Sequence, residues 1–202
     1  GPVVSAPADI TVAAVDANGT PATDAAISAF LSSASAVDAG DGVVSVANDA
    51  PDVFPIGATT VTFSAVDSLT NTGSSSAVVM VEDQTPPVIT VDDATVAATD
   101  ASGTLATAAD IVAFLDSATV EDNVDANVTV TNDAPDAFPI GATVVTFTAT
   151  DSSELTAKAT ATLTVSDLTA PVVTAPDAIT VAANNAAGTA ASNAAISGDW
   201  KM

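Results

Sequence analysis

Residues 132–152 read NDAPDAFPIGATVVTFTATDS, and residues 48–68, 84 positions earlier, read NDAPDVFPIGATTVTFSAVDS. Only four of the 21 positions differ: Val53/Ala137, Thr60/Val144, Ser64/Thr148 and Val66/Thr150. In the later copy Val145, Phe147 and Ala149 alternate with Thr146, Thr148 and Thr150. A period of two marks a half-buried strand, because successive side chains point to opposite faces of a sheet. The stretch therefore predicts a strand at 143–150, matched by one at 59–66. Ala134-Pro135-Asp136 and Phe138-Pro139-Ile140-Gly141 predict turns before it, and Asp151-Ser152-Ser153-Glu154 a turn after it.

Further strands are expected at 88–91, 95–98, 128–131 and 159–165, the last with Ala161, Leu163 and Val165 facing inward. Thr, Val and Ile suit such pleated surfaces. Five short strands per copy, separated by Gly/Pro turns, indicate an all-β fold of antiparallel β-sandwiches. One segment breaks the pattern. Ile111, Phe114 and Leu115 stand at i, i+3 and i+4, as do Ile27, Phe30 and Leu31. This predicts a short helical insert of two or three turns, with Thr107 and Asp110 at capping-box spacing. Laid across an open edge or end, the helix would suppress unwanted strand pairing.

The opening of the unit also recurs, as Pro2-Val3-Val4, Pro87-Val88-Ile89 and Pro171-Val172-Val173. Such internal repetition defines units: 1–84, 85–169, and a partial third repeat or tail at 170–202. The third reaches Ala195-Ile196-Ser197 and ends on Gly198-Asp199-Trp200-Lys201-Met202, which matches nothing earlier. The opening Gly1-Pro2 carries no secretory signal and reads as a cut within a longer protein.

Composition narrows the chemistry. The chain has 202 residues, a formal net charge of -23, two basic side chains (Lys158 and Lys201), and no histidine or cysteine. There is no imidazole base, no thiolate and no ordinary zinc site, so no enzyme is expected. Two lysines cannot neutralise a phosphate backbone, so no nucleic acid partner is expected. No apolar run reaches the length of a membrane span, so no membrane insertion is expected. Without cysteine there is no disulfide, a habit commoner in exported bacterial proteins than in secreted animal repeats. The carboxylates favour a hard cation, of which calcium is the commonest outside cells. They serve equally to keep the surface solvated and dispersed.

Oxygen ligands gather in turns and at the links between units. Asp122-Asn123-Val124-Asp125 precedes a strand, Asp151 lies in a turn, and Asp83 and Asp167 sit at the inter-repeat links. The candidate metal residues are thus Asp83, Asp122, Asp125, Asp151 and Asp167, as ligands for calcium at the junctions. The same residue types form turns and solvated surface without any ion. Paired carboxylates such as Asp122 and Asp125 lack the aromatic platform a glycosidase needs, since Trp200 is the sole tryptophan. The sequons Asn18-Gly19-Thr20 and Asn127-Val128-Thr129 are read as chance.

Residues 120–171 resemble the hyalin-repeat (HYR) family of immunoglobulin-like domains. The resemblance rests on Glu121-Asp122-Asn123-Val124-Asp125, Phe138-Pro139-Ile140-Gly141-Ala142-Thr143, Val145-Thr146-Phe147-Thr148-Ala149-Thr150-Asp151, and the link Asp167-Leu168-Thr169-Ala170-Pro171-Val172. The first copy keeps this frame, with Asp38-Ala39-Gly40-Asp41 in place of the 122–125 segment. The resemblance implies tandem immunoglobulin-like domains used in adhesion. Many members carry a cysteine pair in the third and fourth strands; here Phe63 and Phe147 fill the fourth-strand position. The helical insert is similar to the version in large bacterial surface proteins.

The expected function is a non-catalytic, secreted or cell-surface stalk or adhesive segment of a bacterial surface protein, rigidified by calcium. Its partners would be neighbouring repeats of the same protein and other copies of itself. The alternative is a subunit of an extracellular filament, built when 172–174 or 180–183 of the partial repeat completes a neighbour's sheet. The competing reading of 170–202 is a loose tail.

Overall fold

The computed structural model describes residues 1–175, 177–178, 180–183 and 185–188. In the first repeat the order is β1 (Val3–Ser5), β2 (Ile10–Ala13), β3 (Thr20–Pro21), α1 (Ala25–Ser32), β4 (Ser35–Asp38), β5 (Gly42–Val44), β6 (Val46–Asn48), β7 (Val53–Phe54), β8 (Gly57–Val66) and β9 (Thr72–Glu82). The second has β10 (Val88–Thr90), β11 (Ala94–Ala97), β12 (Thr104–Leu105), α2 (Ala109–Leu115), β13 (Thr119–Glu121), β14 (Thr129–Asn132), β15 (Ala137–Phe138), β16 (Gly141–Thr150) and β17 (Thr156–Ser166). These are all-β, tandem immunoglobulin-like sandwiches, each with one short helix.

Each repeat is organised by its two long strands. β16 and β17 pair antiparallel from Gly141↔Val165 to Thr150↔Thr156, as β8 and β9 pair from Gly57↔Val81 to Val66↔Thr72. The larger sheets run β11-β17-β16-β14 and β2-β9-β8-β6. Packed against their long strands lie β10-β13 and β1-β4-β5, and two-residue pairs, β12-β15 and β3-β7, complete the sheets. The sandwiches are antiparallel except at one place in each, where β11 runs parallel to β17 and β2 parallel to β9.

The alternation read from the sequence governs burial. Val145, Phe147 and Ala149 of β16 are buried, as are Ala161, Leu163 and Val165 of β17, and the intervening threonines are not. Each repeat has its own hydrophobic cluster. One gathers Val12, Ile27, Phe30, Phe54, Val61, Phe63, Val79 and Val81; the other gathers Val96, Ile111, Phe114, Phe138, Val145, Phe147, Leu163 and Val165. The helices seal these clusters. Phe114 meets Phe147 edge to face at 5.8 Å between ring centroids, and Phe30 meets Phe63 at 5.7 Å.

The helix starts correct one expectation. Thr107 does not cap α2, whose N-cap is Ala108 with no side-chain hydrogen bond. In α1 the equivalent residue is Asp24, whose carboxylate accepts from the backbone N–H of Ala26 and Ile27. Gly103 is fixed by its surroundings: its φ is +122°, and a Cβ there would lie 2.0 Å from the Phe138 carbonyl oxygen.

Gly1–Leu168 make one compact unit, and Thr169–Met202 a second. In the second, residues 172–174 and 180–183, the segments considered for strand donation, are not in strands. Asn185 bridges to Gly188 as Asp16 does to Gly19 and Asp100 to Gly103, so the turn of the earlier repeats recurs there. The matches at 195–197 and the ending 198–202 lie outside the described residues. Among the described residues, no helix is long and apolar enough to cross a membrane.

Ala108→Asp should stabilise the second repeat by about 1 kcal/mol, because it supplies α2 with the cap that Asp24 gives α1. Urea unfolding of the variant against the parent chain measures this; an unchanged or lower midpoint would contradict the assignment of Ala108 as N-cap.

Candidate metal centre

Three strands end beside one another at the seam between the repeats, and an aspartate follows each. Asp83 comes directly after β9, Asp122 after β13 and Asp151 after β16. Each offers a carboxylate oxygen, and the three oxygens lie within 4.8 Å of one another. Asp151 is only 7% exposed.

Local turns fix the orientation of each carboxylate by engaging one oxygen. Oδ1 of Asp122 accepts from the backbone N–H of Val124 and Asp125, both at 2.8 Å. Oδ1 of Asp151 accepts from Ser153 at 2.9 Å and Leu155 at 2.8 Å. Oδ1 of Asp83 accepts from Thr85 at 3.0 Å. The other oxygen, Oδ2 in all three, is buried and has no hydrogen-bond partner. A buried acceptor left without a donor is costly, and three carboxylates this close repel one another. A cation at their centre removes both penalties. Calcium binds oxygens at about 2.3–2.6 Å, so ligands of one ion lie up to roughly 5 Å apart, and the cluster fits within that span.

The loop that carries Asp122 also holds the repeats together. Asn123 Nδ2 donates to the carbonyl oxygens of Ala14 at 3.1 Å and Val15 at 3.3 Å, across the seam. Val124 packs against the hydrophobic cluster of the first repeat. Asp125 is used differently from its neighbours. It accepts from the Ser152 hydroxyl at 2.8 Å and from the Ser152 backbone N–H at 3.2 Å, which ties the Asp122 loop to the Asp151 turn. Asp167 lies 84 positions after Asp83, directly after β17 and outside the cluster. Of the five expected residues, Asp83, Asp122 and Asp151 therefore converge, Asp125 braces them, and Asp167 stands at the next link.

A second cluster, Asp38, Asp41 and Asp67, was not among the expected residues. Shifting Asp122, Asp125 and Asp151 back by 84 positions finds it. The backbone N–H groups of Gly40 and Asp41 hold the Asp38 carboxyl below its ordinary range. The Asn71 side-chain amide does the same for Asp67.

The HYR domain family model matches residues 82–165, a span that encloses Asp83, Asp122 and Asp151. Residues 82–165 form a HYR domain. The chain is similar to hyalin of Lytechinus variegatus, at 39% identity over 132 residues, covering 62% of this chain and 24% of that protein. It is similar also to hyalin of Strongylocentrotus purpuratus, at 32% identity over 184 residues, covering 87% of this chain and 15% of that protein. The chain therefore spans about a quarter or less of the curated relatives it matches. Among solved structures it is similar to human protocadherin-24 EC1-2, with a TM-score of 0.38 and 12% identity, covering 83% of this chain and 99% of that one. It is also similar to protocadherin gamma C5 EC1-3, with a TM-score of 0.37 and 13% identity, covering 81% and 67%.

A carboxyl-detected NMR titration should place Asp67 below the ordinary aspartate value of about 3.9. Because the folded value is lowered, the stability this pairing adds is complete above the unfolded value. It is lost as pH falls through the folded one. An Asp67 midpoint at or above the ordinary value would contradict the role given to Asn71.

Proposed function

We propose that the chain is a non-catalytic, extracellular segment of adhesion or stalk type, in which calcium stiffens the junction between HYR repeats. The units are 1–84 and 85–169, with 170–202 opening a third. The observation that carries the reading is the trio of buried, unpartnered Oδ2 atoms at the seam, contributed by the end of one repeat and two turns of the next. Asp83, Asp122 and Asp151 would hold the ion, and backbone carbonyls or water would complete its shell. Asp167 would serve the following junction in the place Asp83 has here.

The mechanism is mechanical. Two sandwiches joined by a short link bend at the seam unless something crosses it. Asn123 and Val124 cross it directly, and both sit on the loop whose first residue is Asp122. An ion bound by Asp122 would fix that loop and so fix the angle of the joint. Near-identical tandem units extend reach without adding chemistry, which suits a spacer that holds something else away from a surface. Adhesion through HYR domains is in keeping with the hyalin relatives. The absence of cysteine and the helical insert favour a bacterial surface protein as the host. No nucleic acid partner fits a chain with a net charge of -23.

Saturating calcium should raise the thermal midpoint by several degrees, since ligand at about 100 times its Kd stabilises by roughly 2.7 kcal/mol. Asp151→Asn should remove most of that gain. Small-angle scattering should show a narrower spread of inter-repeat distances with calcium than with chelator. A midpoint and a scattering profile that both ignore calcium would sink the calcium reading.

A further inference from the structure

Two turns of the seam cluster, at Asp122 and Asp151, recur 84 positions earlier at Asp38 and Asp67, yet the Asp67 and Asp151 carboxylates are satisfied differently. Asp67 Oδ1 accepts from the backbone of Leu69 at 2.9 Å and Asn71 at 2.8 Å, as Asp151 Oδ1 does from Ser153 and Leu155. Thr70 and Glu154, the residues before Asn71 and Leu155, share a left-handed backbone, with φ of 66° and 65°. The turns therefore match in backbone; of the side chains that differ, Leu69/Ser153, Thr70/Glu154 and Asn71/Leu155, it is Asn71 that bonds the turn aspartate. In the first repeat Asn71 Nδ2 donates to Asp67 Oδ2 at 2.7 Å. In the second, the Leu155 side chain has no donor to offer, and Asp151 Oδ2 is left buried and unpartnered.

We infer that the residue at this position, Leu155 here and Asn71 in the first repeat, sets the affinity of each cluster for a divalent cation. This rests on the calcium reading of the Asp83–Asp122–Asp151 centre and names its determinant. Leucine leaves a carboxylate oxygen open to a cation. Asparagine supplies a neutral donor to the same oxygen, so an incoming ion must displace or share that hydrogen bond. The first-repeat cluster is then a self-satisfied turn, and the seam cluster is the one that takes calcium. Leu155 is a positioning residue of an unusual kind: it acts by withholding a donor. A hydrogen bond to a charged group is strong enough that asparagine at 155 should weaken calcium binding roughly tenfold or more.

The test compares Leu155→Asn with Leu155→Ala in the full chain, by calorimetric titration with calcium chloride. Alanine also removes the leucine side chain but adds no donor, so the contrast between the two isolates the amide. The expected result is binding by Leu155→Asn about tenfold weaker than by Leu155→Ala. Asparagine already stands in the same turn at position 71, so the variant should keep its fold, and melting in chelator checks this. Asn71→Leu gives a second reading: the Asp67 NMR midpoint should rise once the donor is gone. Equal calcium affinity for the two Leu155 variants would overturn the inference and leave the calcium centre standing. A parent chain that binds no calcium would overturn both together, and an Asp67 midpoint unmoved by Asn71→Leu would remove the donor argument itself.

Discussion

In each repeat a ring from the helix stands edge-on to a ring from the central long strand, Phe30 to Phe63 and Phe114 to Phe147. The chain has six phenylalanines, and all six are buried, three in each repeat. With so much of the apolar content in alanine, these rings are the bulkiest side chains that the two small sheets close around. A fully buried phenylalanine contributes about 1.5–3 kcal/mol by removal from water, and an edge-to-face pair about 0.5–1.5 kcal/mol more. No disulfide is present to share that work. The helix matters for the same reason, because Ile111 and Phe114 close the core where the short strands leave it open.

How much of this was legible followed the length of each element. β8, β16 and β17 were plain because ten or eleven residues give a period-two pattern room to show. β12 and β15 pair through only two residues, too few for any period, and β13 is nearly as short. The parallel pairing of β11 with β17 was invisible, since strand direction is settled by the path of the chain through space. The helix was legible from Ile111, Phe114 and Leu115. Its start was not, because Ala108 occupies a capping place that composition would assign to Thr107. The carboxylates were visible as turn formers at strand ends. Convergence of Asp83, Asp122 and Asp151 depended on three strands ending at one seam. The diversion of Asp125 depended on Ser152, a contact across 27 residues.

The charge of the chain is managed mainly by backbone donors, with Lys158 near Asp133 as a lesser aid. Asp9 accepts from the backbone of Val78, and Asp93 does the same from Thr162, both at 2.7 Å and across 69 residues. Asp49 and Asp133 accept from Thr62 and Thr146 in matching positions. Backbone N–H groups thus take the place that lysine and arginine fill elsewhere. Such donors are fixed in direction, so each aspartate also pins a turn or a strand edge. Set against this habit, the seam carboxylates stand out: each has been given its share of backbone donors and still keeps one oxygen in reserve.

Asp83 leaves the first repeat at the end of its last strand, whereas Asp122 and Asp151 belong to the second. The strands that carry the set belong to two sheets, β9 to that of the first core and β16 to that of the second. In a longer array the number of complete sets would follow the number of joints, one fewer than the number of units, and would not follow unit mass. Separating two neighbours would divide the three aspartates one to two, so cutting the tether and dismantling the centre would be the same event.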